Sequence, residues 1–569
     1  MSSQSSSLPD ATGHEQVSAE SLDSDDTEIS DLANPPGVNA KYIKGIPLFW
    51  HDRLIEASLL LSMALYYVIG NTNFGSDAIF HVNPLYTLPF LLVFAVLCWY
   101  RLPFALALLP LALPYYLIHK TVYSHYSFSP AEIVFGVCAL VFVLQLALKR
   151  SHWHYRLSWR ELRQRLGPFM VPMLVFLAAA AFSIVIAYDK VTALRSFREE
   201  VLEPLLYVVM ALYCLRTRGD LTRLLGALLA TGFIVAGIGM MQYLFFKKTL
   251  VLESDGIRRV HAMYGSANSI GLLFDYTLPI GFALVVAKAS FTSKMFSSWK
   301  IRVVGIILCL PMIYVLYLTQ SLGAWLAIPV AALFIAALSI RNRKVLLTSA
   351  VVFLVGAAIV LLLFHSKIAT FLLGNHLDVH NVSTATKRYY LWQTALNMIH
   401  DSPWFGYGMD NWLCHYSTNT TCFTPHLHHY LIDRDPVTHL STDLKFEPFL
   451  SHPHNILLHV WVSIGIFGLI AFVAVVVLFY WLFIRTLRYL RTHETNKTIW
   501  LQWMTMGVGA AMLAALVQGM IDSSFLEQDL AFCFWMLVLA LLLLRALSGT
   551  PWRGRSSRLP QPDATIAVA

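Results

Sequence analysis

The feature that most constrains this chain is the recurrence of long apolar segments along most of its 569 residues. A helix needs about 17–25 apolar residues to cross a hydrocarbon core of about 30 Å. About fourteen windows of this kind can be placed, at 54–70, 84–100, 102–118, 130–148, 169–187, 201–215, 222–245, 268–287, 303–319, 323–338, 345–364, 460–484, 500–521 and 528–546. One of them is short, and only Arg101 separates the second from the third. We therefore predict an all-α polytopic membrane protein with about 12–14 transmembrane helices.

Composition excludes a soluble multidomain protein, because 57% of the residues are hydrophobic and only 13% are charged. The net charge of +8 does not indicate a nucleic-acid partner, since basic residues in a membrane protein more often fix its orientation. No nucleic-acid-binding module is recognisable. Membrane lipids are the expected surroundings.

One long polar stretch interrupts the apolar pattern and divides the chain. We predict five regions: a disordered cytoplasmic tail at 1–40, transmembrane helices 1–11 at 50–364, a large periplasmic loop with amphipathic helices at 365–453, C-terminal transmembrane helices at 454–546 and a cytoplasmic tail at 547–569. The first tail is rich in Ser, Asp and Glu, and such a composition cannot repay the entropy of ordering.

Basic clusters orient these regions, because short cytoplasmic loops carry an excess of Lys and Arg. The clusters alternate with less basic loops in a way that places all of them on one side, at 149–165, 216–218, 294–302, 341–344, 485–491 and 553–558. Both termini fall on that side. The loops 246–267 and 365–453 then share the opposite face, where water-phase chemistry is expected.

The first of these loops carries Arg258 and Arg259 on the face where the charge bias disfavours arginine. A negatively charged ligand near the membrane surface would offset the cost of keeping them there. The alternative is that they extend toward lipid phosphates, as interfacial arginines do.

The second loop carries Arg388 in a segment with apolar residues at helical spacing, which predicts an amphipathic interfacial helix over about 386–399. The glycine-containing segment Trp404–Gly408 is the expected turn after it. Arg388 is then expected in the first helical turn, where backbone N–H groups also favour an anion. Two arginines from separate loops can bind a diphosphate through their guanidinium groups.

His454 lies where this loop meets the next apolar segment, and we predict that it opens that helix. A neutral imidazole can accept a proton from an alcohol near neutral pH. The alternative is a capping or interfacial histidine without a chemical role.

The cysteines differ in their surroundings. Five lie in apolar segments, where a small buried hydrophobic residue is expected, whereas Cys414 and Cys422 lie in the polar loop. In an oxidising compartment these two can form a disulfide, and in a cytosolic loop they would remain free thiols.

Three other polar clusters are possible ligand groups. His426, His428 and His429 near Asp433 and Asp435 have no fixed metal-ligand spacing, and no metal site is predicted. The cluster Arg195, Arg198, Glu199 and Glu200 is expected either to bind phosphate or sugar or to form exposed ion pairs. Asp522, Glu527 and Asp529 are interpreted as an acidic turn that only reflects topology.

Several motifs together carry a resemblance. Arg259 is followed by Tyr264-Gly265 and Asn268, Arg388-x-x-x-Trp392 by Pro403-Trp-Phe-Gly-Tyr-Gly408, and His454-Asn455-x-x-Leu458 by Gly465-x-x-Gly468-Leu469. The set, which spans about residues 185–485, resembles the bacterial O-antigen ligase family and its polymerase relatives, integral membrane glycosyltransferases of the GT-C type. This sequence departs from the family at Ala262, Ala267 and Leu322, where Gly, Pro and Arg are usual.

The resemblance implies an enzyme of the bacterial inner membrane that moves a glycan from undecaprenyl diphosphate to a hydroxyl acceptor at the periplasmic face, with inversion and without metal or cofactor. The implied acceptor is the lipid A core. The implied catalytic residues are His454, Arg388 and Arg259. The residues expected to bind substrate are Arg258, Asn268, Tyr264, Asn455, Trp392, His452, Arg195 and Arg198.

Three alternatives stay open at this point. A polymerase or a protein O-oligosaccharyltransferase would share the donor chemistry, although the single large loop before His454 favours a ligase. A lipid-linked glycan transporter would place polar residues on broken helices at mid-membrane and show internal repeats. The sequence instead collects its ionisable residues in two loops of one face.

Overall fold

The structure is a computed structural model that describes most of the apolar chain. The described residues are 42–43, 46–69, 84–117, 120–122, 126–148, 159–252, 258–287, 298–340, 348, 351, 362, 384–416, 427, 429–430 and 450–552. The predicted tail at 1–40 lies outside them, as do nearly all of the predicted window 345–364 and most of the segment 417–449.

Helices dominate the described residues. The α-helices are α1 Leu48–Val68, α2 Leu88–Leu108, α3 Pro130–Ala147, α4 Trp159–Leu166, α5 Met170–Ile186, α6 Lys190–Ser196, α7 Glu203–Cys214, α8 Arg218–Phe245, α9 Ala267–Val286, α10 Ser298–Thr319, α11 Leu322–Ser339, α12 Thr384–Asp401, α13 Trp412–Tyr416, α14 Ile456–Thr492, α15 Asn496–Gly519 and α16 Gln528–Ser548. Shorter 3₁₀ segments lie at Pro84–Thr87, Leu109–Tyr115, Gly167–Phe169 and Lys247–Thr249, and a π-helical turn lies at Phe197–Leu202.

Ten helical segments of the described chain are long and apolar enough to cross a membrane. They are Leu88–Tyr115, Pro130–Ala147, Trp159–Ile186, Arg218–Phe245, Ala267–Val286, Trp299–Thr319, Leu322–Ser339, Ile456–Thr492, Thr498–Gly519 and Gln528–Ser548. The all-α polytopic prediction is confirmed. The two windows predicted on either side of Arg101 form one span, because the helix continues through non-helical backbone at that residue into the 3₁₀ segment.

The described residues include three antiparallel strand pairs, the first before α1 and the other two between helices. They pair β1 Tyr42–Ile43 with β2 Ile46–Pro47, β3 Lys120–Val122 with β4 Tyr126–Phe128, and β5 Val251–Leu252 with β6 Arg258–Arg259. In the last hairpin Val251 lies opposite Arg259 and Leu252 opposite Arg258. This register fixes the orientation of Arg258 and Arg259, the two arginines predicted to bind the substrate.

The centre of the bundle is built on α9, α15 and α16. Helix α9 packs against α8, α10, α11 and α15, and α15 also packs against α11, α14 and α16. Helix α16 is apolar around its whole circumference, with 83% of its most apolar window buried. A helix with this pattern belongs in the interior, which leaves polar groups at its ends.

The predicted amphipathic helix is present as α12. Its apolar residues Leu391, Ala395 and Met398 are buried, whereas Tyr389 is 61% exposed. The apolar side packs against α14, so a long polar segment is attached to the bundle through one helical face.

The turn Trp404–Gly408 fits into a break in α14 at Gly465, whose φ of +80° interrupts the helical backbone. The amides of Tyr407 and Gly408 donate to the carbonyls of Val462 and Ser463, at 2.7 and 3.1 Å, and Ile466 N donates to Pro403 O at 3.1 Å. A Cβ on Gly465 would lie 2.2 Å from the Trp404 carbonyl oxygen. Glycine is therefore required where the two backbones cross.

Candidate active site

The site is built at the start of α14 and in the turn between α15 and α16. Helix α14 begins at Ile456, two residues after the predicted start, because Asn455 is its N-cap. The Asn455 Oδ1 accepts from the amides of Leu457 and Leu458, and its Nδ2 donates to Met520 O at 2.9 Å. The predicted binding residue Asn455 thus joins the helix start to the end of α15, and its contact with substrate stays a prediction.

His454 stands just outside this cap in a left-handed backbone conformation, with φ of +50°. Such a conformation is uncommon for a residue with a Cβ and is often found at functional sites. Trp392 of α12 donates from Nε1 to the His454 carbonyl at 3.2 Å. The predicted binding residue Trp392 therefore positions the His454 backbone.

His454 and Asp522 form a close polar pair in the site. The Nδ1 of His454 lies 2.6 Å from Oδ1 of Asp522, so the ring N–H donates to the carboxylate. Ser523 N also donates to this oxygen, at 2.9 Å. With Nδ1 protonated, the Nε2 lone pair of a neutral His454 can accept a proton.

Arg388 reaches the same turn from α12. Its Nη1 donates to the Ile521 carbonyl, and its Nη2 lies 4.0 Å from Oδ2 of Asp522. Arg388 and His454 thus both approach Asp522, and their catalytic roles stay predictions. Helix α12 begins at Thr384, so Arg388 lies in its second turn rather than in the first, and the N-terminal amides are not beside it.

Asp522 is a buried carboxylate shared by these cations. Burial alone would raise its pKa, but the charge and hydrogen bond of His454, together with the charge of Arg388, hold the pKa below its usual range. Asp522 is therefore ionised at neutral pH and accepts the hydrogen bond from the His454 ring. From the sequence alone, Asp522 is interpreted only as part of an acidic turn that reflects topology.

His452 packs against His454, with ring centroids 4.5 Å apart, and also stacks on His459. Its Nδ1 accepts from His454 N at 3.3 Å, and its Nε2 lies 3.8 Å from Oε1 of Glu527. Burial and the neighbouring charges of His454 and His459 hold the pKa of His452 well below 6.5. His452, which is predicted to bind substrate, is thus an uncharged side chain that lines the site.

A small polar cavity of about 80 Å³ lies beside His452. Its polar lining includes His459 and the carboxyl groups of Glu200, Asp410 and Glu527. Burial raises the pKa of both Glu200 and Glu527, and neighbouring carboxylates raise them further. No arginine or lysine is among the described residues that line it, so it suits a neutral hydroxyl group better than a phosphate.

The predicted residues of the first loop lie around β6 and the start of α9. Arg258 is exposed and Arg259 is half-buried. Tyr264 is buried and donates from its hydroxyl to Oδ2 of Asp529 at 3.1 Å, two residues beyond Glu527. Asn268 follows the N-cap Ser266, to which its amide donates. Substrate binding by these four residues stays a prediction.

The two arginines predicted near Glu199 differ in environment. Arg195 is exposed and lies 3.9 Å from Asp410, a residue of the cavity. Arg198 pairs with the buried Glu132 and with Glu199. Arg198 is thus engaged by carboxylates of its own fold, and its binding to substrate stays a prediction.

Cys414 is disulfide-bonded, whereas Cys98, Cys138, Cys214, Cys309 and Cys533 are free and buried. Its predicted partner Cys422 lies outside the described residues, so the pairing stays a prediction. His426, His428, Asp433 and Asp435 also lie outside them.

One group of side chains has the composition of a metal site. The ligand atoms of His452, His454 and Asp522 lie within 4.8 Å of one another. The arrangement fits a metal poorly, because His454 Nδ1 and Asp522 Oδ1 already share a hydrogen bond and the Arg388 guanidinium approaches the second oxygen. A dication there would meet a neighbouring positive charge.

Part of this chain is similar to a known protein family. A search of curated proteins found no match. Residues 307–473 match a family model described as O-antigen ligase. This range holds most of α10, all of α11 and α12, the Trp404–Gly408 turn, His454 and the break in α14. The motif resemblance is confirmed over residues 307–473, which are similar to the O-antigen ligase family. The apolar helices of the described residues make the chain a multi-pass membrane protein.

Proposed function

We propose that this protein is a glycosyltransferase of the bacterial inner membrane that transfers a glycan from undecaprenyl diphosphate to a hydroxyl of the lipid A core at the periplasmic face. The observation that carries the proposal is the 2.6 Å contact between His454 Nδ1 and Asp522 Oδ1, at a helix end next to Arg388. The family match supports the reaction class.

The pair supports general-base catalysis. The Nε2 of His454 removes the proton from the acceptor hydroxyl as its oxygen attacks the anomeric carbon. The new carbon–oxygen bond forms as the bond to the diphosphate oxygen breaks, and a single displacement of this kind inverts the anomeric centre. Asp522 stabilises the imidazolium that results, as a carboxylate does in a catalytic triad.

The leaving diphosphate needs positive charge, because negative charge accumulates on it as the bond breaks. Arg388 is 13% exposed at its side chain and lies beside His454, which supports a role on the donor side. Arg259 is proposed as the second arginine of this role, from the separate loop before α9.

The acceptor is proposed to approach from the side of the polar cavity. Its imidazole and carboxyl lining can exchange hydrogen bonds with sugar hydroxyls. A cavity of about 80 Å³ has room for a substituent of the acceptor sugar rather than for a whole ring.

The test incubates purified protein with a carrier-linked glycan and lipid A core, and compares wild type with His454→Ala. His400→Ala is the matched control, because His400 is an exposed histidine of α12 outside the site. Product on lipid A core that disappears only in His454→Ala supports the proposal.

Other products would redirect it. Lengthening of the glycan on the carrier would identify a polymerase, and glycan on a protein hydroxyl would identify a protein O-oligosaccharyltransferase. If no acceptor is glycosylated, the result would favour the alternative of a lipid-linked glycan transporter. Transfer should persist in a chelator of divalent cations, and a complete loss there would contradict the metal-independent reaction.

A further inference from the structure

A group of buried polar side chains lies at the packing contact of α9, α11 and α15, near the active-site turn that follows α15. Asp275, Ser321 and Gln518 are at most 1% exposed. Within the described part of the chain, both carboxylate oxygens of Asp275, the Ser321 Oγ, and both polar atoms of the Gln518 amide have no hydrogen-bond partner. Buried polar atoms of this kind are rare and call for an explanation.

Helix packing brings Ser321 and Gln518 into one layer. A Cβ on Gly271 of α9 would lie 2.9 Å from Ser321 Oγ, and a Cβ on Gly323 of α11 would lie 3.1 Å from Gln518 Cγ. Ser321 is the N-cap residue of α11, yet its side chain makes no capping hydrogen bond. Its hydroxyl is therefore available to this layer.

Asp275 enters the same layer from one turn further along α9. It lies four residues after Gly271, on the same helix face. Side chains lean toward the N-terminus of their helix. Helices α9 and α15 run in opposite directions and contact each other where Gly507 meets Pro279 and Ile280. Asp275 and Gln518 therefore lean toward each other.

We propose that Asp275, Ser321 and Gln518 bind a small monovalent cation of the sodium class. A carboxylate within a membrane-spanning helix requires a compensating charge or a proton. One carboxylate balances one positive charge, and the hydroxyl and amide oxygens are the ligands that a hard cation prefers. No basic side chain of the described residues pairs with Asp275.

The bound cation has a consequence for the active site. The Gln518 carbonyl accepts hydrogen bonds from the amides of Ile521 and Asp522, both at 2.9 Å. A cation that fixes Gln518 also fixes the turn that presents Asp522 to His454. The binding inference itself does not depend on the proposed transferase reaction.

The test measures thermal unfolding of the purified full-length protein while sodium chloride replaces choline chloride at constant ionic strength. Wild type should show a saturable rise in Tm with sodium, since a ligand that binds only the folded state stabilises it. Asp275→Asn should abolish the rise, and Ser321→Ala or Gln518→Leu should weaken the apparent affinity by about tenfold or more.

Thr277→Val is the matched control, because Thr277 is equally buried on α9 but its hydroxyl bonds to Leu273 O. It should keep the full response to sodium. A wild-type Tm that is the same in sodium and choline, or an equal sodium response in wild type and the three ligand variants, would overturn the proposal. The milder variants keep the test valid if Asp275→Asn does not fold.

Discussion

Replacing Asp522 by Asn tests the catalytic pair while conserving its shape. The substitution removes the charge that faces His454 Nδ1 at 2.6 Å. It also allows the new amide N–H to donate to Nδ1, which moves the imidazole proton to Nε2. The side chain that should act as the base would then present a proton in place of a lone pair.

The magnitude follows from these two losses. A hydrogen bond to a charged group contributes about 1.5–3 kcal/mol, which corresponds to about 10- to 150-fold in rate. Loss of general-base catalysis costs about 10²- to 10⁴-fold. Both act through the same imidazole, so they do not add. We expect Asp522→Asn to reduce the transfer rate by about 10²- to 10⁴-fold.

The assay is single-turnover transfer to the acceptor at saturating donor, with the amount of folded protein measured by gel filtration. Asp522→Glu retains the charge and should recover part of the rate. Asp220→Asn is the control, because Asp220 is a buried carboxylate that caps α8. A wild-type rate in folded Asp522→Asn would refute the assigned role of the pair.

Three further results are expected. Gly465→Ala should lower Tm, because the Gly465 backbone (φ +80°, ψ −176°) lies in a region almost restricted to glycine, which costs other residues about 1–3 kcal/mol, and because the new atom meets the Trp404 carbonyl. Gly237→Ala, with open space where its Cβ would lie, should not lower Tm. Glu527→Gln should stabilise the fold above about pH 4.5. Burial and neighbouring carboxylates raise the pKa of Glu527 in the folded state. The contribution of Glu527 to stability is therefore complete below its unfolded-state pKa and is lost as the pH rises through its folded-state pKa. A Tm difference between Glu527→Gln and wild type that does not grow from pH 4 to 8 would contradict this. Mass spectrometry of non-reduced peptides should find Cys414 joined to Cys422, and a different partner for Cys414 would reject the predicted pairing.

The sequence was sufficient for the elements that depend on local pattern. Apolar length predicted the spanning helices, helical spacing predicted α12, and glycines predicted the turn at Trp404–Gly408. These signals are local, because hydrophobic periodicity and backbone freedom belong to a few neighbouring residues. The common site of Arg388 and His454 came from the motif resemblance.

The sequence was insufficient where distant residues meet. Asp522 is 68 positions from its partner, and its contact with His454 depends on how the end of α15 lies against the start of α14. The sequence offered one signal. His454 precedes a long apolar segment and Asp522 follows another, and both lie on the same predicted face of the membrane. That signal applies equally to Glu527 and Asp529, so it could not select the carboxylate that binds His454.

The interlocked turn and helix break also affect how this protein can diversify. The turn Trp404–Gly408 is bonded into α14, and Asn455 ties the start of α14 to Met520. One anchor lies at the break near Gly465 and the other at the helix start beside His454, so together they hold the first turns of α14. A substitution that loosens either anchor is therefore expected to shift His454 relative to Asp522 without changing a catalytic side chain.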